Sequence, residues 1–331
     1  MRITALGAGY MGTAMALVAR QRGHEVRLWG TWLDDPMLDP PARGELHPRL
    51  ELPLGDLAIF RAPALEEALR GAELVICGVN SDGVLEVMRR ARAFLPDVPI
   101  LAVTKGLLPN TEGRMDRIDR CVSEVLGRDA RWVHASGPAK AMEVARDVFT
   151  WMHFAGKEAA FCAAAMRGNA LHVSETPDIA GAELCSALKN AYATGLGLWD
   201  GAVGAAAHNA RAACFTQAIV EMERIVRAAG GLAETVYGAS GVGDLHVTAA
   251  AGRNRIFGER VGKGRKASDV AREMAAEGLL TEGYAAIASA MRYVAEQKVE
   301  GVPLLRAIHA VIWEDRDAKT ELLALPAAMR S

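Results

Sequence analysis

Short apolar runs alternate with helical patterns along the first half of the chain. Most of the predicted strands are nearly continuous stretches of apolar residues, as expected for strands that helices cover on both faces. The predicted strands are Ile3–Leu6, Glu25–Trp29, Leu74–Val79, Ile100–Val103, Trp132–Ala135, Met152–Ala155 and Ala170–Val173. The helices predicted between them include Met11–Gln21, Leu65–Leu69, Val84–Phe94 and Arg114–Leu126. This alternation predicts a doubly wound, mostly parallel α/β sheet.

The pattern changes after about Asp178. Helical periodicity without a predicted strand occupies Ile179–Leu198, Ala205–Ala229, Ala271–Ala276, Ala285–Glu296 and Leu304–Trp313. The sequence therefore predicts two domains, residues 1–178 with the sheet and residues 179–331 entirely helical, which suits the length of 331 residues. Residues 31–56 contain five prolines, and we expect a loop-like insertion there.

A glycine-rich loop follows the first predicted strand directly and begins the first predicted helix. Its sequence, Gly7-Ala8-Gly9-Tyr10-Met11-Gly12, matches G-x-G-x-x-G. In such a loop the first glycine allows a tight turn, the second lets the backbone approach a pyrophosphate, and the third lets helix and strand pack closely. Free N–H groups at the helix N-terminus attract the phosphates. A plain glycine turn is the alternative, but the position favours dinucleotide binding.

The choice of dinucleotide depends on the residues that follow the second predicted strand. NAD-binding loops place an acid about 20 residues after the glycines, where it contacts the adenosine ribose. Asp34 and Asp35 are the nearest acids, and no Arg or Lys lies between Leu28 and Pro41 to accept a 2′-phosphate. The sequence favours NAD, with NADP possible. The alternative for Asp34 is a solvated loop residue.

Composition excludes several classes of function. Lys and Arg total 38 against 40 Asp and Glu, so the chain offers no broad positive field to nucleic acid or anionic lipid. No apolar run approaches the ~20 residues that cross a bilayer, which predicts no membrane insertion. Because Arg2–Leu6 already has the pattern of a strand, we expect no signal peptide. The five cysteines show no metal-binding or disulfide spacing, so we expect buried thiols, no metal site and a cytoplasmic location.

Four polar segments in apolar or glycine-rich surroundings are candidates for catalysis. They are residues 103–106, 136–139, 188–190 and 243–255. The first two follow predicted strands, at the edge of the sheet where ligands bind in open α/β folds. Reduction of a carbonyl requires a general acid at its oxygen and groups that orient the rest of the substrate.

Lys189 is the strongest candidate for the acid. It interrupts a helix of small residues that another surface could approach closely, and desolvation would bring its pKa towards a useful value. The alternative is an ordinary surface lysine. Arg253, at a predicted helix start, offers a planar donor fork for a phosphate but could equally lie free on the surface. Asp244 could orient a lysine or a substrate hydroxyl, or merely cap a helix.

In their order along the chain, these motifs resemble those of the soluble NAD(P)-dependent glycerol-3-phosphate dehydrogenases. The matching blocks are GAGYMG (7–12), TKGL (104–107), SGPAKAMEVA (136–145), ELCSALKNAYATGLGLWDG (183–201), HNARAA (208–213), GVGDLHVT (241–248), GRNRIFG (252–258) and AAEG (275–278). The resemblance implies a Rossmann domain followed by an all-helical C-terminal domain like that of 6-phosphogluconate dehydrogenase. It also implies reversible reduction of dihydroxyacetone phosphate to sn-glycerol 3-phosphate, a small phosphorylated substrate, by a homodimer.

The resemblance assigns roles position by position. Lys189 would donate and accept the proton at the substrate oxygen, with Lys105 and Asp244 assisting catalysis. Substrate contacts would come from Lys105, Gly137, Lys189, Asp244, Gly252, Arg253 and Asn254. Cofactor contacts would come from Gly7, Gly9, Tyr10, Met11, Gly12, Lys105, Ala141, Arg253 and Glu277.

The chain departs from the family pattern at several of these places. Tyr10-Met11 replaces the usual Ser-Trp or Asn-Trp, Thr31 interrupts a common W-x-R sequence, and Ala139 replaces a Ser or Asn. Two alternatives therefore stand beside the main interpretation. One is a sibling dehydrogenase for another phosphorylated polyol or keto acid, and the other is a catalytically silent dinucleotide-binding regulator. A regulator would have no use for Lys189 as an acid, which weighs against the second.

Overall fold

Eight strands of the chain form one sheet and two others form a separate hairpin. A computed structural model describes residues 1–168 and 170–329. Its strands are β1 (Arg2–Leu6), β2 (Glu25–Trp29), β3 (Ala58–Phe60), β4 (Leu74–Cys77), β5 (Ile100–Ala102), β6 (Leu107–Pro109), β7 (Met115–Arg117), β8 (Trp132–Ser136), β9 (Thr150–Ala155) and β10 (Leu171–Thr176). The sheet has the order β10-β9-β8-β5-β4-β1-β2-β3. Adjacent strands in this sheet are parallel, except that β8 and β9 are antiparallel.

The strand order reverses at β1. From β1 the sheet extends through β2 and β3 on one side and through β4 and β5 on the other. All four residues of β4 are buried, as expected for a strand with helices on both faces. In sheets of this kind, ligands bind at the carboxyl ends of the strands beside the reversal. The predicted fold class, a doubly wound sheet followed by helices, is confirmed.

Seven α-helices accompany the sheet in the described part of the first structural unit, which comprises Met1–Lys105 and Ile118–Ile179. They are α1 (Tyr10–Gln21), α2 (Asp35–Ala42), α3 (Leu65–Leu69), α4 (Ser81–Ala91), α5 (Ile118–Leu126), α6 (Ala141–Ala145) and α7 (Ala159–Met166). Helix α4 buries Val84, Val87, Met88 and Ala91, the spacing of one helix face. The side chain of Asn80 caps α4 by accepting the Gly83 N–H at 3.0 Å.

Within residues 1–178, the sequence analysis missed or misplaced some elements. The short edge strand β3 was missed, because three residues carry too little pattern. The helix predicted over Arg114–Leu126 begins only at Ile118, and the residues before it form β7. The segment 31–56, predicted as a loop, contains α2. Proline is tolerated in the first turn of that helix, and two further prolines near its end remove the donors that would extend it.

The second structural unit is entirely helical from Ala180 onward within the described residues. Its helices are α8 (Ile179–Ala202), α9 (His208–Ala228), α10 (Ala233–Tyr237), α11 (Asp244–Ala251), α12 (Arg253–Gly262), α13 (Ala267–Ala276), α14 (Glu282–Glu296), α15 (Pro303–Trp313) and α16 (Ala318–Ala328). A π-helical turn, Ala239–Gly243, leads into α11. Helix α8 is buried from Gly181 to Asp200, so it lies at the centre of this unit.

The β6–β7 hairpin belongs to the helical unit, although the sequence placed residues 106–117 in the first domain. Leu107 and Met115 are buried in the apolar core of the helices. The N–H of Met115 also donates to the Glu296 carboxylate at the end of α14, at 2.6 Å. The hairpin therefore packs with helices that follow much later in the chain, and a domain boundary at residue 178 does not describe its position.

A buried carboxylate ties three helices of this unit together. Glu221 of α9 is inaccessible to solvent and accepts hydrogen bonds from Tyr192 Oη (3.0 Å) and Gln217 Nε2 (2.9 Å). It also accepts the N–H groups of Leu304 and Leu305, at 2.6 and 2.9 Å, in the first turn of α15. Burial raises the pKa of Glu221, and these four hydrogen bonds oppose the rise by stabilising the carboxylate.

We expect Glu221→Ala to destabilise the helical unit strongly. The change leaves buried donors without an acceptor, at about 1–3 kcal/mol for each group that water cannot reach. Chemical denaturation should show a loss of several kcal/mol relative to wild type. Glu259→Ala is the matched control, because Glu259 pairs only with Lys263 on the surface of α12 within the described residues. Similar stabilities for the two variants would contradict this role of Glu221.

Candidate active site

The glycine loop joins β1 to α1 beside the reversal in strand order. Gly7 has a φ of +94°, a conformation that side chains other than glycine rarely adopt, and its N–H donates to the Trp29 carbonyl at 2.8 Å. At Gly12, a Cβ would lie 2.6 Å from the Gly7 carbonyl oxygen. The backbone geometry therefore requires glycine at both positions.

Gly78 completes this contact and was missed by the sequence analysis. It follows β4 directly, and a Cβ on it would lie 2.4 Å from the Gly12 Cα. The start of α1 thus rests against bare backbone on the neighbouring strand. A signal was present, because Gly78 ends the strand that lies beside β1 in any doubly wound sheet of this order.

Space for a ligand lies beside Gly9. A Cβ there would meet only the Gly78 carbonyl oxygen among the described residues, at 4.0 Å. Gly9 is also the N-cap of α1. It has no side chain to accept hydrogen bonds from the N–H groups of the first turn, which contains Tyr10 and Met11. Open space at a bare helix N-terminus suits the pyrophosphate of a dinucleotide, so these residues fit the cofactor that the sequence implies.

Asp34 is held against the glycine loop. Its Oδ2 accepts the N–H of Ala8 (3.2 Å) and both the N–H (2.8 Å) and the hydroxyl (2.9 Å) of Thr31. The carboxylate is half-buried and makes ordered contacts, so the alternative of a freely solvated loop residue does not describe it. Its predicted contact with a ribose remains a prediction.

The other candidates of the first unit follow its strands. Lys105 is half-buried three residues after β5, and the preceding Thr104 donates its hydroxyl to the Val79 carbonyl at 2.6 Å. Gly137 follows β8 with a φ of +119°, and a Cβ on it would lie 2.7 Å from the Trp151 carbonyl oxygen. Close packing against β9 therefore accounts for this glycine by itself. Ala141 is the first residue of α6 and packs against the apolar core that includes α1.

Lys189 and Asp244 form a buried ion pair in the helical unit. The Lys189 Nζ donates to the Asp244 Oδ1 across 55 residues of sequence. The Lys189 side chain is 9% exposed and that of Asp244 only 1%. Lys189 is thus not a surface lysine. Asp244 stands at the start of α11 but turns its carboxylate to the lysine.

A chain of amide hydrogen bonds continues from the residue after Lys189. Asn190 Oδ1 accepts from Asn254 Nδ2 at 2.9 Å, and Asn254 Oδ1 accepts the N–H of Gly283 at 2.9 Å. Asn190 Nδ2 donates to Glu282 Oε2 at 3.0 Å. These contacts join α8, α12 and α14 beside the buried ion pair.

Arg253 is an accessible cation beside this group. Its side chain is 41% exposed at the start of α12, 3.7 Å from Glu282 Oε1. Gly252 precedes the helix and offers no side-chain cap, so the N–H groups of the first turn face no side-chain acceptor from that position. An exposed guanidinium beside a bare helix start is suited to an anion such as a phosphate.

The structure brings Glu282 to the group, whereas Glu277 contacts Arg260, and the predicted cofactor contact of Glu277 stays a prediction. The Glu277 carboxylate pairs with Arg260, with two hydrogen bonds of 3.0 Å, at the surface end of α13. Its side-chain contacts among the described residues include none of Lys189, Asp244 and Arg253. The sequence analysis did not single out Glu282, which sits in a second Glu-Gly pair only five residues further on.

Glycines bring these helices close enough for the polar groups to meet. A Cβ on Gly197 of α8 would lie 2.1 Å from the Arg255 carbonyl oxygen, and one on Gly258 of α12 would lie 2.1 Å from the Thr194 carbonyl oxygen. At Gly283, a Cβ would lie 2.3 Å from the Thr194 hydroxyl. Backbone contact between α8 and α12 sets the separation that places Asn254 against Asn190.

Comparison with known protein families shows to which family the chain belongs. Residues 2–162 match the family described as NAD-dependent glycerol-3-phosphate dehydrogenase N-terminus, and residues 178–322 match the corresponding C-terminus. The chain belongs to this family. The predicted family resemblance is thereby confirmed over both parts of the chain.

Individual glycerol-3-phosphate dehydrogenases match over nearly the full length. The NADP(+)-dependent enzyme of Archaeoglobus fulgidus is 34% identical, over 98% of this chain and 99% of its own. The NAD(P)+ enzyme of Thiobacillus denitrificans is 35% identical, over 95% and 94%. The crystal structure of the Coxiella burnetii dehydrogenase superposes with a TM-score of 0.84 at 30% identity, covering 98% of each chain.

Two further observations concern the described residues outside the site. None of the helices within residues 1–168 and 170–329 is both long and apolar enough to span a membrane. All five cysteines are buried, and burial raises the pKa of the Cys77 thiol to about 11. This confirms the prediction that the cysteines are buried thiols.

Proposed function

We propose that this glycerol-3-phosphate dehydrogenase family member interconverts dihydroxyacetone phosphate and sn-glycerol 3-phosphate, with Lys189 as the general acid and base. When bound, the nicotinamide of NAD(P) supplies or accepts the hydride. In the reductive direction the Lys189 ammonium donates its proton to the ketone oxygen as the carbon is reduced, and the lysine is left neutral. Oxidation of the alcohol reverses the transfer.

The buried Lys189–Asp244 pair carries this proposal. A carboxylate in contact with a nearly dehydrated lysine fixes the direction of Nζ and favours the ammonium form before the reaction begins. Asp244 is thus a positioning residue in this mechanism. Lys105 and Gly137 keep their predicted substrate contacts as part of the same proposal.

The phosphate is assigned to the start of α12. Arg253 provides a charged donor fork, and the N–H groups after Gly252 add neutral donors with the positive end of the helix dipole. Asn254 is held by Asn190 and Gly283, so its contact with substrate would come from a fixed position. Glu282 limits the freedom of Arg253 through their 3.7 Å contact.

The test is absorbance at 340 nm with purified protein, dihydroxyacetone phosphate, and NADH or NADPH in parallel. Rapid oxidation of either nucleotide supports the proposal. Binding of NADH without oxidation would overturn it. Turnover with another phosphorylated ketone or a keto acid would then indicate a sibling dehydrogenase, and no turnover with any substrate would indicate a binding protein.

Arg253→Ala is expected to raise the KM for dihydroxyacetone phosphate by about 10- to 100-fold, the loss of one charge-assisted hydrogen bond of about 1.5–3 kcal/mol. The effect on kcat should be small, since the phosphate does not change during the reaction. Arg260→Ala is the matched control, because it removes an arginine of the same helix that pairs with Glu277. Equal rises in KM for both variants would contradict a phosphate site at Arg253.

Asp34→Asn is expected to shift nucleotide preference from NADH towards NADPH. The amide keeps an oxygen for Thr31 and Ala8 but removes the negative charge that would repel a 2′-phosphate and accept a ribose hydroxyl. Dissociation constants for both nucleotides, measured by fluorescence, give the ratio. The control is Asp35→Asn, since the Asp35 carboxylate instead pairs with Arg61. An unchanged ratio in Asp34→Asn would argue against the ribose contact.

Two predictions concern the oligomeric state of the protein and its location in the cell. A homodimer and a cytoplasmic location remain the predictions made from the sequence. Sedimentation of the purified protein would measure the first, and fractionation of cells would measure the second.

A further inference from the structure

Ala8, which lies between the first two glycines of the loop, is hydrogen-bonded at both its N–H and its carbonyl by the proline-rich segment 31–56. The Ala8 N–H donates to Asp34 Oδ2 at 3.2 Å, and the Ala8 carbonyl lies 3.1 Å from His47 Nε2. No pattern in the sequence placed His47 near the loop. Its contact is made across 39 residues.

The hydrogen bonds of His47 fix its tautomer. The ring is inaccessible to solvent, and its Nδ1 lies 3.3 Å from the Arg49 N–H and 3.2 Å from the Leu50 N–H. Because both of these groups are donors, Nδ1 must accept, and the hydrogen must lie on Nε2. His47 therefore donates to the Ala8 carbonyl as a neutral imidazole.

The surroundings of His47 favour the neutral ring. Burial lowers its pKa below the ordinary value and the Arg49 cation acts in the same direction, while the hydrogen bond with the Ala8 carbonyl and the negative charge of Asp34 oppose them. The backbone closes on itself around the ring, since His47 N–H donates to the Leu52 carbonyl (2.9 Å) and Glu51 N–H to the His47 carbonyl (2.8 Å). His47 thus sits in a rigid turn.

The same segment is anchored in the core beneath α1. Leu50, Leu54 and Leu57 are buried in the apolar core that includes α1. The Arg49 guanidinium lies over the Tyr10 ring, 5.1 Å from its centre, at the first turn of α1. Residues 47–57 are therefore held in place against the glycine loop and the first turn of α1.

We propose that His47 is a positioning residue for dinucleotide binding, which presets the peptides around Ala8 so that the N–H groups at the start of α1 face the pyrophosphate. The inference rests on the proposed binding of a dinucleotide by this unit. With Ala8 held from both sides, the loop does not have to order itself when the ligand binds, and the entropy cost of ordering falls.

Two substitutions separate the functions of the two ring nitrogens. His47→Asn keeps an acceptor near the Nδ1 position for the turn but loses the donor to Ala8. His47→Gln keeps a donor near the Nε2 position and loses the acceptor. Thr4→Val is the matched control, because it removes another buried hydrogen bond to a carbonyl in the same unit, from Thr4 Oγ1 to Ala68 (2.6 Å).

The measurements are the Kd for NADH by fluorescence, and hydrogen exchange at residues 7–11 without nucleotide. We expect His47→Asn to raise the Kd about 10-fold, the equivalent of one hydrogen bond, and to speed exchange in the loop. His47→Gln should bind more tightly than His47→Asn, and Thr4→Val should keep the wild-type Kd while lowering Tm.

The outcomes distinguish this inference from the proposed function. A wild-type protein that binds neither NADH nor NADPH would remove the proposed function and this inference with it. Wild-type affinity in His47→Asn, with only a lower Tm, would overturn the inference alone and make His47 a structural residue. Equal losses of affinity in Thr4→Val and His47→Asn would likewise overturn it, since any loss of stability would then weaken binding.

Discussion

Replacement of Lys189 by alanine should lower kcat by about 10²–10⁴, the usual contribution of general acid–base catalysis. The physical reason is specific to this position. The Lys189 side chain is almost fully buried and hydrogen-bonded to Asp244. Solvent water therefore cannot efficiently replace its amine as the proton donor. Steady-state rates with dihydroxyacetone phosphate and saturating NADH measure the change.

The same substitution leaves the Asp244 carboxylate buried without its partner, which commonly costs about 3–5 kcal/mol. Unfolding and NADH affinity must therefore be measured beside the rate. Asp244→Asn, which keeps an acceptor oxygen for the lysine, should lose less activity than Lys189→Ala. The matched control is Lys263→Ala, which removes an exposed lysine that pairs with Glu259. A folded Lys189→Ala protein with a kcat near that of wild type would exclude Lys189 from the chemistry.

Gly78→Ala should abolish tight binding of the dinucleotide. The new Cβ would lie 2.4 Å from the Gly12 Cα, where neither backbone can move without displacing α1 from β4. Overpacking of this kind costs about 3 kcal/mol, and if α1 gives way the Kd for NADH should rise about 100-fold. NADH fluorescence measures the affinity, and circular dichroism shows whether the fold survives.

The control for Gly78→Ala is another glycine of the same unit that tolerates a side chain. At Gly168, a Cβ would meet only the flexible Arg22 side chain, at 3.6 Å, and the backbone has no positive φ. Gly168→Ala should therefore bind NADH as wild type does. Wild-type affinity in Gly78→Ala would mean that the contact between α1 and β4 does not shape the loop.

The elements that could be predicted from the sequence are those with long local patterns. The central strands are continuous apolar runs, and their predicted bounds lie within three residues of those in the structure. The glycine loop was predictable because its function depends on a fixed local spacing between strand and helix. Arg253 was found at a helix start for the same reason, since Gly-Arg-Asn is a local signal.

Features that depend on distant packing were not predictable in this way. The hairpin 106–117 joins the helical unit because Leu107 and Met115 are buried against helices that follow much later in the chain. Gly78 is required because α1 touches the end of β4, a contact that follows from the order of the strands in the sheet and not from a local motif. Glu282 could not be told from Glu277 by sequence, since both stand in Glu-Gly pairs a few residues apart.

The sequence by itself determined the α/β and helical parts of this protein, its glycine loop and its family, because periodicity and short motifs are local properties of the chain. Only the tertiary structure decided which polar groups meet. Lys189 and Asp244 are 55 residues apart, and His47 and Ala8 are 39 apart. Such contacts are set by the close packing of helices and strands, where a single Cβ would already clash, and local sequence does not contain that information.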